Sequence, residues 1–396
     1  MSSLQVFKQS PVDHEFVQNP YKFYEKIETS GDYFFWTDYD RVCARSHRAV
    51  STIYKDKRFG REIPLELRKP IPLHLEDFYQ VEENSMLEKE PPNHTRLRSL
   101  VLRAFTKRKI TQFEDELDQL CNKLIDKFSG DQVDLLPTYA QKIPIIIIAR
   151  LLGIPEEMSD QLLSWSNAMV SMYQARRTFE IEKNANKSAA EFRSYLLEYI
   201  DKRRKNPKDD LLSNLIQAEE QGDKLTTDEL ISTVVLLLNA GHEATVHTLG
   251  NGIKTLIETK NAKKWTQPEL INNTVEEILR YDPPLHMFNR YAYEDINLFD
   301  LKIDCGQEIM LMLAASGRDK MKIEDPNFFN PLRKATPHFA LGAGIHFCVG
   351  APLARLELQK ALPILFNRCP EMSLVETPVY ANLYHFHGLN SLKIKP

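Results

Sequence analysis

Cys348 stands in a glycine-rich stretch that reads ALGAGIHFCVGAPLARLE. Gly342, Gly344 and Gly350 leave the backbone without Cβ atoms, so this loop could lie flat against a bulky ligand. Pro352 follows where the first turn of a helix tolerates proline, and the N-terminus of a helix favours a thiolate through its N–H groups and its dipole. The pattern therefore predicts that Cys348 is a metal ligand or a nucleophile, rather than a small buried hydrophobic residue.

A long apolar segment carries the second group of polar residues. It opens on a capping box, Thr226 to Glu229, and its periodicity predicts a helix to about Glu258, roughly 50 Å long. The middle of the segment is apolar on nearly every face, which predicts burial all round. It nevertheless contains Asn239, Gly241, His242, Glu243 and Thr245. Polar groups and a glycine in a buried helix cost stability, so we expect a function to require them.

The loop LGAGIHFCVG resembles the haem-ligand loop of the cytochrome P450 monooxygenases, whose signature is Phe-Gly-x-Gly-x-Arg/His-x-Cys-x-Gly. The resemblance implies that the cofactor is haem b, iron protoporphyrin IX, with Cys348 as the axial thiolate ligand of the iron. It also implies that Gly342 lets the loop approach the porphyrin and that His346 reaches a haem propionate. Leu341 stands where the family has phenylalanine.

Further stretches match motifs of the same family, in the family's order, from about Asn19 to Leu392. The stretch EPPNHTRLRSLVLRAFT resembles the helix that binds the haem propionates, and PPLHMFNRYAYED resembles the segment with a third propionate contact. EEILR and FFNPLRKATPH resemble the two parts of a structural charged triad. The residues implied are His94, Arg98 and Arg290 for the propionates, and Glu277, Arg280 and Arg333 for the triad. Motifs in the right order are far more specific than any one alone.

The resemblance also assigns roles in the long helix, where this chain reads AGHEAT. Ala240 and Gly241 correspond to the family's oxygen-binding bulge, and Glu243 to its acid. The family's catalytic threonine is replaced by Ala244, and Thr245 is one residue out of phase. We therefore expect an ordered water to deliver protons, held by Glu243 with Thr245 or by a hydroxyl of the substrate.

A pocket for a medium-sized, largely apolar substrate is expected around this helix. A terpenoid, steroid, fatty acid or polyketide would suit equally. The loop from about Leu65 to Met86 and the segment MVSMYQARRTF are expected to contact the substrate. The other pocket residues expected are Asn239, Ala244, Leu285, His286, Met287, His385 and Phe386. Asn239 has two interpretations: its amide faces an oxygen function of the substrate, or it caps backbone carbonyls at the bulge.

Helical periodicity covers most of the chain between about Pro20 and Phe366. Strand-like alternation is confined to YFFWTDYDRVCARS, RYAYEDINLFDLKIDCGQEIMLML and LNSLKIKP. These patterns predict a mainly α fold with small peripheral β-sheets, organised as one domain over residues 1–396. The family resemblance places the haem between the long central helix and the cysteine loop.

Composition narrows the class of protein further. A net charge of −4 argues against a nucleic-acid coat. The first thirty residues show no export signal, and no apolar run is long enough for a membrane anchor, so we expect a cytoplasmic protein. The five cysteines are scattered without zinc or redox spacing, which fits reduced thiols.

These observations predict a haem-thiolate monooxygenase that inserts one oxygen atom of O₂ into an organic substrate. The sequence carries no flavin or iron–sulfur segment, so we expect electrons from a ferredoxin or flavodoxin with its reductase, and a monomer. Two alternatives stay open. The missing threonine is compatible with a peroxide-driven haem oxidase or peroxygenase, and a haem-based ligand-binding module without catalysis is a third possibility.

Overall fold

Helices form most of the part of the chain that the computed structural model describes, residues 4–103, 105–220, 225–334 and 337–396. They are α1 His14–Gln18, α2 Tyr21–Lys26, α3 His47–Lys55, α4 Glu76–Glu82, α5 Asn93–Leu102, α6 Lys107–Thr111, α7 Glu114–Ile125, α8 Lys142–Leu152, α9 Ser159–Val170, α10 Phe179–Lys205, α11 Leu211–Glu220, α12 Thr227–Glu258, α13 Ala262–Trp265, α14 Ile271–Tyr281, α15 Leu313–Ser316 and α16 Ala351–Arg368. Within these ranges no helix combines the length and apolarity needed to cross a bilayer.

The strands form three small sheets. They are β1 Val6–Phe7, β2 Tyr33–Trp36, β3 Arg41–Ala44, β4 Phe59–Gly60, β5 Val133–Asp134, β6 Met287–Ala292, β7 Ile296–Leu298, β8 Leu301–Ile303, β9 Glu308–Met312, β10 Ser373–Leu374 and β11 Lys393–Lys395. The sheet orders are β1-β2-β3-β9-β6-β4, β10-β11-β5 and β7-β8. The predicted fold class is thus confirmed. Four strands that the sequence did not predict, β1, β4, β5 and β10, have two residues each, too few for alternation to show.

The main sheet joins segments that are distant along the chain. Strands β3 and β9 pair in parallel, with Cys43 opposite Met310, and β9 pairs antiparallel with β6. One side of this sheet packs on an N-terminal aromatic cluster, whose members are Phe16, Phe23, Tyr24, Phe34, Trp36, Tyr384, Met287, Met310 and Met312. Edge-to-face ring contacts, such as Phe16 with Tyr384 at 4.8 Å, give this second core a defined packing.

Helix α12 begins and ends where the sequence predicts. The hydroxyl of Thr226 accepts from the backbone N–H of Glu229, and the Glu229 carboxylate accepts from the N–H of Thr226 at 2.9 Å. The helix packs against α8, α9, α14 and α16, as its apolar surface requires. Hydrogen bonding is continuous through Ala240 and Gly241, so the bulge expected there does not interrupt the helix.

One face of α12 is accessible in the middle of an otherwise buried helix. Between Leu230 and Ile253 every residue is buried except five: Leu236, Ala240, Gly241, Glu243 and Ala244. Positions 236, 240 and 244 lie one turn apart on the same side of the helix. We call these five residues the open strip. A leucine, two alanines, a glycine and one carboxylate are therefore accessible in the middle of α12.

Candidate active site

The loop that precedes α16 places Cys348 at the N-terminal end of that helix. The Cys348 N–H donates to the Leu341 carbonyl at 2.9 Å, which closes the loop. Gly342 and Gly344 have φ of +67° and +70°, a region that disfavours other residues. A Cβ on Gly344 would lie 2.2 Å from the carbonyl oxygen of Tyr54, so the loop packs directly against the C-terminal end of α3. Glycine is required at position 344 for both reasons.

The Cys348 sulfur receives backbone N–H groups of Gly350 and Ala351. Burial nevertheless raises the pKa of the thiol, and these N–H groups, together with the positive charges of Arg98 and Arg355, lower it only in part. The N–H groups at the helix end therefore favour the thiolate, as expected, but desolvation outweighs them. A cation bound at the sulfur would supply the missing stabilisation, so the geometry fits a metal ligand.

Basic side chains surround the ligand loop. The rings of His94 on α5 and His346 in the loop lie with centroids 4.3 Å apart at an interplanar angle of 48°, and His346 Nε2 contacts Glu90 Oε1 at 2.9 Å. Burial, then the nearby charges of His346 and Arg98, lower the pKa of His94 to about 4. Its buried Nδ1 has no hydrogen-bond partner among the described residues. Arg98 donates to the carbonyl of Phe347 at 2.6 Å.

Arg290 on β6 completes this basic group. Its Nη1 donates to the carbonyl of Asn289 at 2.7 Å, and its guanidinium lies 4.8 Å from the centre of the Tyr54 ring. Within the described ranges no carboxylate pairs with it, and burial lowers its pKa to about 10. The neighbouring Arg61 pairs with Glu88, yet its Nε has no partner in the described part of the chain. Buried donors without acceptors fit a ligand that carries carboxylates.

Two of the residues predicted for proton delivery are separated by the helix geometry. Glu243 lies on the open strip, and its Oε1 is 3.0 Å from Nε2 of His247 one turn later. Thr245 is 5% exposed and lies off the strip. It is one residue beyond Ala244, and one residue is a rotation of about 100° around a helix. The water shared by Glu243 and Thr245 stays a prediction.

The expected pocket residues divide into two groups. Ala244 lies on the open strip, and Leu285 forms a β-bridge with Phe386, whose ring centroid is 6.1 Å from that of His247. The structure thus brings these three together at α12. The Asn239 amide caps no backbone carbonyl among the residues described: its Nδ2 contacts Met169 Sδ at 3.9 Å, and its Oδ1 has no partner there. A contact with an oxygen function of the substrate stays a prediction.

Three pocket predictions fall on the N-terminal aromatic cluster instead. His286 is fully buried with its Nδ1 2.8 Å from the Tyr24 hydroxyl, and Met287 is a member of that cluster. His385 Nε2 contacts the hydroxyl of Tyr39 at 2.9 Å. The structure therefore does not bring the side chains of His286 and Met287 to the open strip. The backbone turn before β6 decides this orientation, and sequence motifs do not report it.

The charged triad assembles as one buried group. Arg280 donates to both carboxylate oxygens of Glu277, at 2.7 and 2.8 Å, and Arg333 Nε lies 3.5 Å from Glu277 Oε1. Arg280 also donates to the carbonyls of Gly317 and Pro326, at 2.9 and 2.8 Å. Helix α14 therefore holds the segment that leads to the cysteine loop.

Motif reasoning missed several residues at the site, notably Tyr54, Arg61 and Glu90, whose partners lie far away in sequence. His247 carried a usable signal, since histidine four residues after Glu243 faces the same side of a helix. The contact between Glu82 and Tyr173 was also missed. The Tyr173 hydroxyl donates to the Glu82 carboxylate, which links the end of α4 to the turn between α9 and α10. Both segments were expected to contact substrate.

We predict that Glu82→Gln stabilises the protein selectively at high pH. Burial raises the pKa of Glu82 to about 7, against the hydrogen bond from Tyr173, which lowers it. Glu82 therefore loses its proton at a lower pH in the unfolded chain than in the folded protein. The wild type accordingly loses stability as pH rises from about 4.5 to 7. The melting temperature of the variant should exceed that of the wild type by about 2 °C or more at pH 8, and by less at pH 5. Glu83→Gln, at an exposed neighbour, serves as control; a pH-independent difference for Glu82→Gln would contradict the prediction.

Comparison with known proteins gives consistent results. The family model described as Cytochrome P450 matches residues 68–373. The polyketide biosynthesis cytochrome P450 PksS of Bacillus subtilis is 38% identical over 349 residues, 86% of this chain and 85% of that protein. A biotin biosynthesis cytochrome P450 of the same organism is 32% identical over 394 residues, 97% and 98% of the two chains. The crystal structure of P450BioI in complex with an acyl carrier protein ligated to hexadec-9Z-enoic acid matches with a TM-score of 0.91 at 31% identity, covering 96% of this chain and 99% of that one.

Proposed function

The chain belongs to the cytochrome P450 family and is a haem-thiolate monooxygenase with haem b, and from this premise we propose that its substrate is a molecule with a long, largely apolar acyl or polyketide chain. Two observations on similar proteins support this substrate class. PksS is named for polyketide biosynthesis. P450BioI was crystallised with a fatty-acyl carrier protein. The accessible side chains of the open strip, one leucine, two alanines, a glycine and a single carboxylate, suit an apolar chain.

The residues of this chain fit the cofactor. Cys348 would hold the iron through its sulfur, and the glycine loop would let the porphyrin lie against it. His94, whose Nδ1 has no partner among the described residues, and Arg98 and Arg290, which donate to backbone carbonyls, would hold the propionates. His346 would join them through the ring nitrogen that does not contact Glu90. When bound, haem with a thiolate ligand supplies the activation of O₂ and the transfer of one oxygen atom.

The observation that carries the proposal is the pairing of two features, a half-buried cysteine at a helix N-terminus and a carboxylate on the open strip. Ala240, Gly241 and Ala244 leave room for O₂ and for the reacting carbon of the substrate. Glu243 takes up a proton at its carboxylate and releases it on that strip. The buried walls exclude bulk water, which strengthens these electrostatic effects.

Electrons are proposed to come from a ferredoxin or flavodoxin with its reductase. Arg103 and Arg108 follow α5 and are exposed, which suits an acidic protein partner. Lys109 in the same run pairs with Asp209 at 3.0 Å. Reduction rates that fall with salt and with charge reversal at Arg103 and Arg108 would support docking at this surface.

The test compares candidate substrates on the purified holoenzyme. Free fatty acids, the same acids linked to an acyl carrier protein, a polyketide chain and a steroid are titrated while the haem absorption is recorded. Each is then turned over with ferredoxin and reductase, and separately with hydrogen peroxide alone. We expect tight binding and oxygenated product for acyl or polyketide chains in the ferredoxin system. A preference for the steroid would overturn the proposed substrate class, and efficient turnover only with peroxide would replace monooxygenation by peroxygenation.

A further inference from the structure

The carboxylate of Glu243 is held by a histidine of its own helix. His247 Nε2 donates to Glu243 Oε1 at 3.0 Å, across one helical turn. His242 Nδ1 lies 3.7 Å from Oε2, beyond hydrogen-bond distance, and neither of its ring nitrogens has a partner in the described part of the chain. Among those residues, the carboxylate thus takes its hydrogen bond from His247.

This contact sets the charge of the carboxylate. Burial raises the pKa of Glu243, but the hydrogen bond from His247 and then the charge of His247 outweigh it, so the pKa lies below its ordinary value. Burial lowers the pKa of His242 to about 4, so that ring is neutral near pH 7. The proton available to Glu243 is therefore the one on His247 Nε2.

The opposite side of the His247 ring is fixed by the C-terminal loop. A Cβ on Gly388 would lie 1.9 Å from His247 Nδ1, so only a glycine leaves room for the ring. Asn251 Nδ2, one turn further along α12, donates to the His387 carbonyl at 2.9 Å and holds the loop on the helix. The ring of His247 is therefore clamped between Glu243 and the backbone at Gly388.

Further titratable groups continue from this loop toward the surface. His387 Nε2 lies 3.5 Å from Asp282 Oδ1, and Asp282 accepts from the hydroxyls of Tyr21 and Tyr380 at 2.6 and 2.8 Å. Burial and then the charge of His247 lower the pKa of His387. The ammonium group of Lys254 lies over the ring of Tyr380 at 5.7 Å, at the partly exposed end of this series.

We propose that His247 is a positioning residue that supplies protons to the reaction through Glu243, an inference that rests on the proposed monooxygenase function. Each turnover consumes one O₂, two electrons and two protons, and releases one water. In each transfer the Nε2–H bond of the His247 imidazolium breaks and an O–H bond forms on Glu243. Glu243 then releases that proton at the open strip, and neutral His247 takes the next one from water. Ala244 has no hydroxyl, so this pair is the proton source that the open strip offers.

The test uses the holoenzyme of the wild type, His247→Gln, Glu243→Gln and, as a matched control on the same helix, His242→Gln. Infrared spectra of the resting ferric protein report whether Glu243 is protonated. In difference spectra against the wild type, where the bands of protonated carboxyls such as Glu82 cancel, an added protonated carboxyl band at neutral pH is expected for His247→Gln and not for the other variants. In turnover, product formed per electron pair should fall about tenfold or more in His247→Gln. Substrate affinity should stay within twofold, whereas a structural defect would change it. His242→Gln should match the wild type in all three measurements.

Glu243→Asp provides a second variant, since the shorter side chain breaks the 3.0 Å contact without changing the His247 ring. It should lower the product yield like His247→Gln, even where the latter fails to incorporate haem. Wild-type product yield in either variant would overturn the proton-supply role. Absence of turnover in the wild type would instead tell against the proposed function, while the infrared band would still report on the pairing.

Discussion

Replacement of Cys348 by histidine is expected to abolish the strongly red-shifted absorption band that the reduced wild-type protein shows with carbon monoxide. The thiolate ligand produces that shift, whereas histidine would provide a neutral nitrogen ligand in its place. Monooxygenase turnover should fall by more than about 100-fold. Substitutions of residues that surround a metal ligand cost up to about 100-fold, and loss of the ligand itself should cost more. Absorption spectra of matched protein concentrations, with haem quantified separately, measure both effects.

The chain offers a matched control in its other cysteines. The described cysteines are free, and Cys305 is exposed and remote from the ligand loop in sequence. Cys305→Ser should leave the carbon monoxide spectrum and the turnover unchanged. A red-shifted band that survives in Cys348→His would place the ligand elsewhere and remove the basis for the proposed site.

Arg280→Ala is expected to cost about 3–5 kcal/mol of unfolding free energy, because it leaves the buried Glu277 carboxylate with only the 3.5 Å contact to Arg333. The side chain of Arg280 is 1% exposed, and that of Glu277 is 5% exposed. The substitution also frees the carbonyls of Gly317 and Pro326, which lie on the segment leading to the cysteine loop. We therefore expect poor haem retention as well as a lower melting temperature.

Two further variants separate charge from hydrogen bonding at this position. Lys187→Ala breaks an exposed pair with Glu191 on α10 and should change stability by no more than about 0.5 kcal/mol. Arg280→Lys keeps the charge but loses the planar fork that reaches Glu277 and the two carbonyls together. An Arg280→Ala protein as stable as the Lys187→Ala protein would contradict the role assigned to the buried pair.

The parts of the protein that follow from local sequence were predicted well. The capping box at Thr226 and the apolar periodicity after it define α12 to within a residue at each end, because both signals are local. The glycine pattern around Cys348 predicted a tight loop, and Gly342 and Gly344 indeed adopt positive φ. Such features depend only on residues within a few positions of one another.

The features of the site that the sequence did not predict depend on contacts between distant residues and on the rotational position of residues around a helix. His346 pairs with Glu90, 256 residues earlier, and no spacing rule connects them. The motif alignment placed Thr245 beside Glu243, but a helix turns it away from the open strip. Similarly, the turn before β6 directs His286 and Met287 into the N-terminal aromatic cluster. Long-range packing therefore decides which of the candidate residues meet at the site.

The order of strands in the main sheet has a consequence for biosynthesis. Cys43 on β3 meets Met310 on β9, and 267 residues separate them along the chain. A ribosome that adds roughly 5–20 residues per second makes β9 on the order of 10–50 s after β3. Throughout that interval the edge of β3 that pairs with β9 has no strand beside it. The side chains of the N-terminal aromatic cluster likewise lack the part of their packing that β9 supplies. Nascent chains arrested before residue 312 should therefore engage chaperones through their first sixty residues and release them once β9 has emerged.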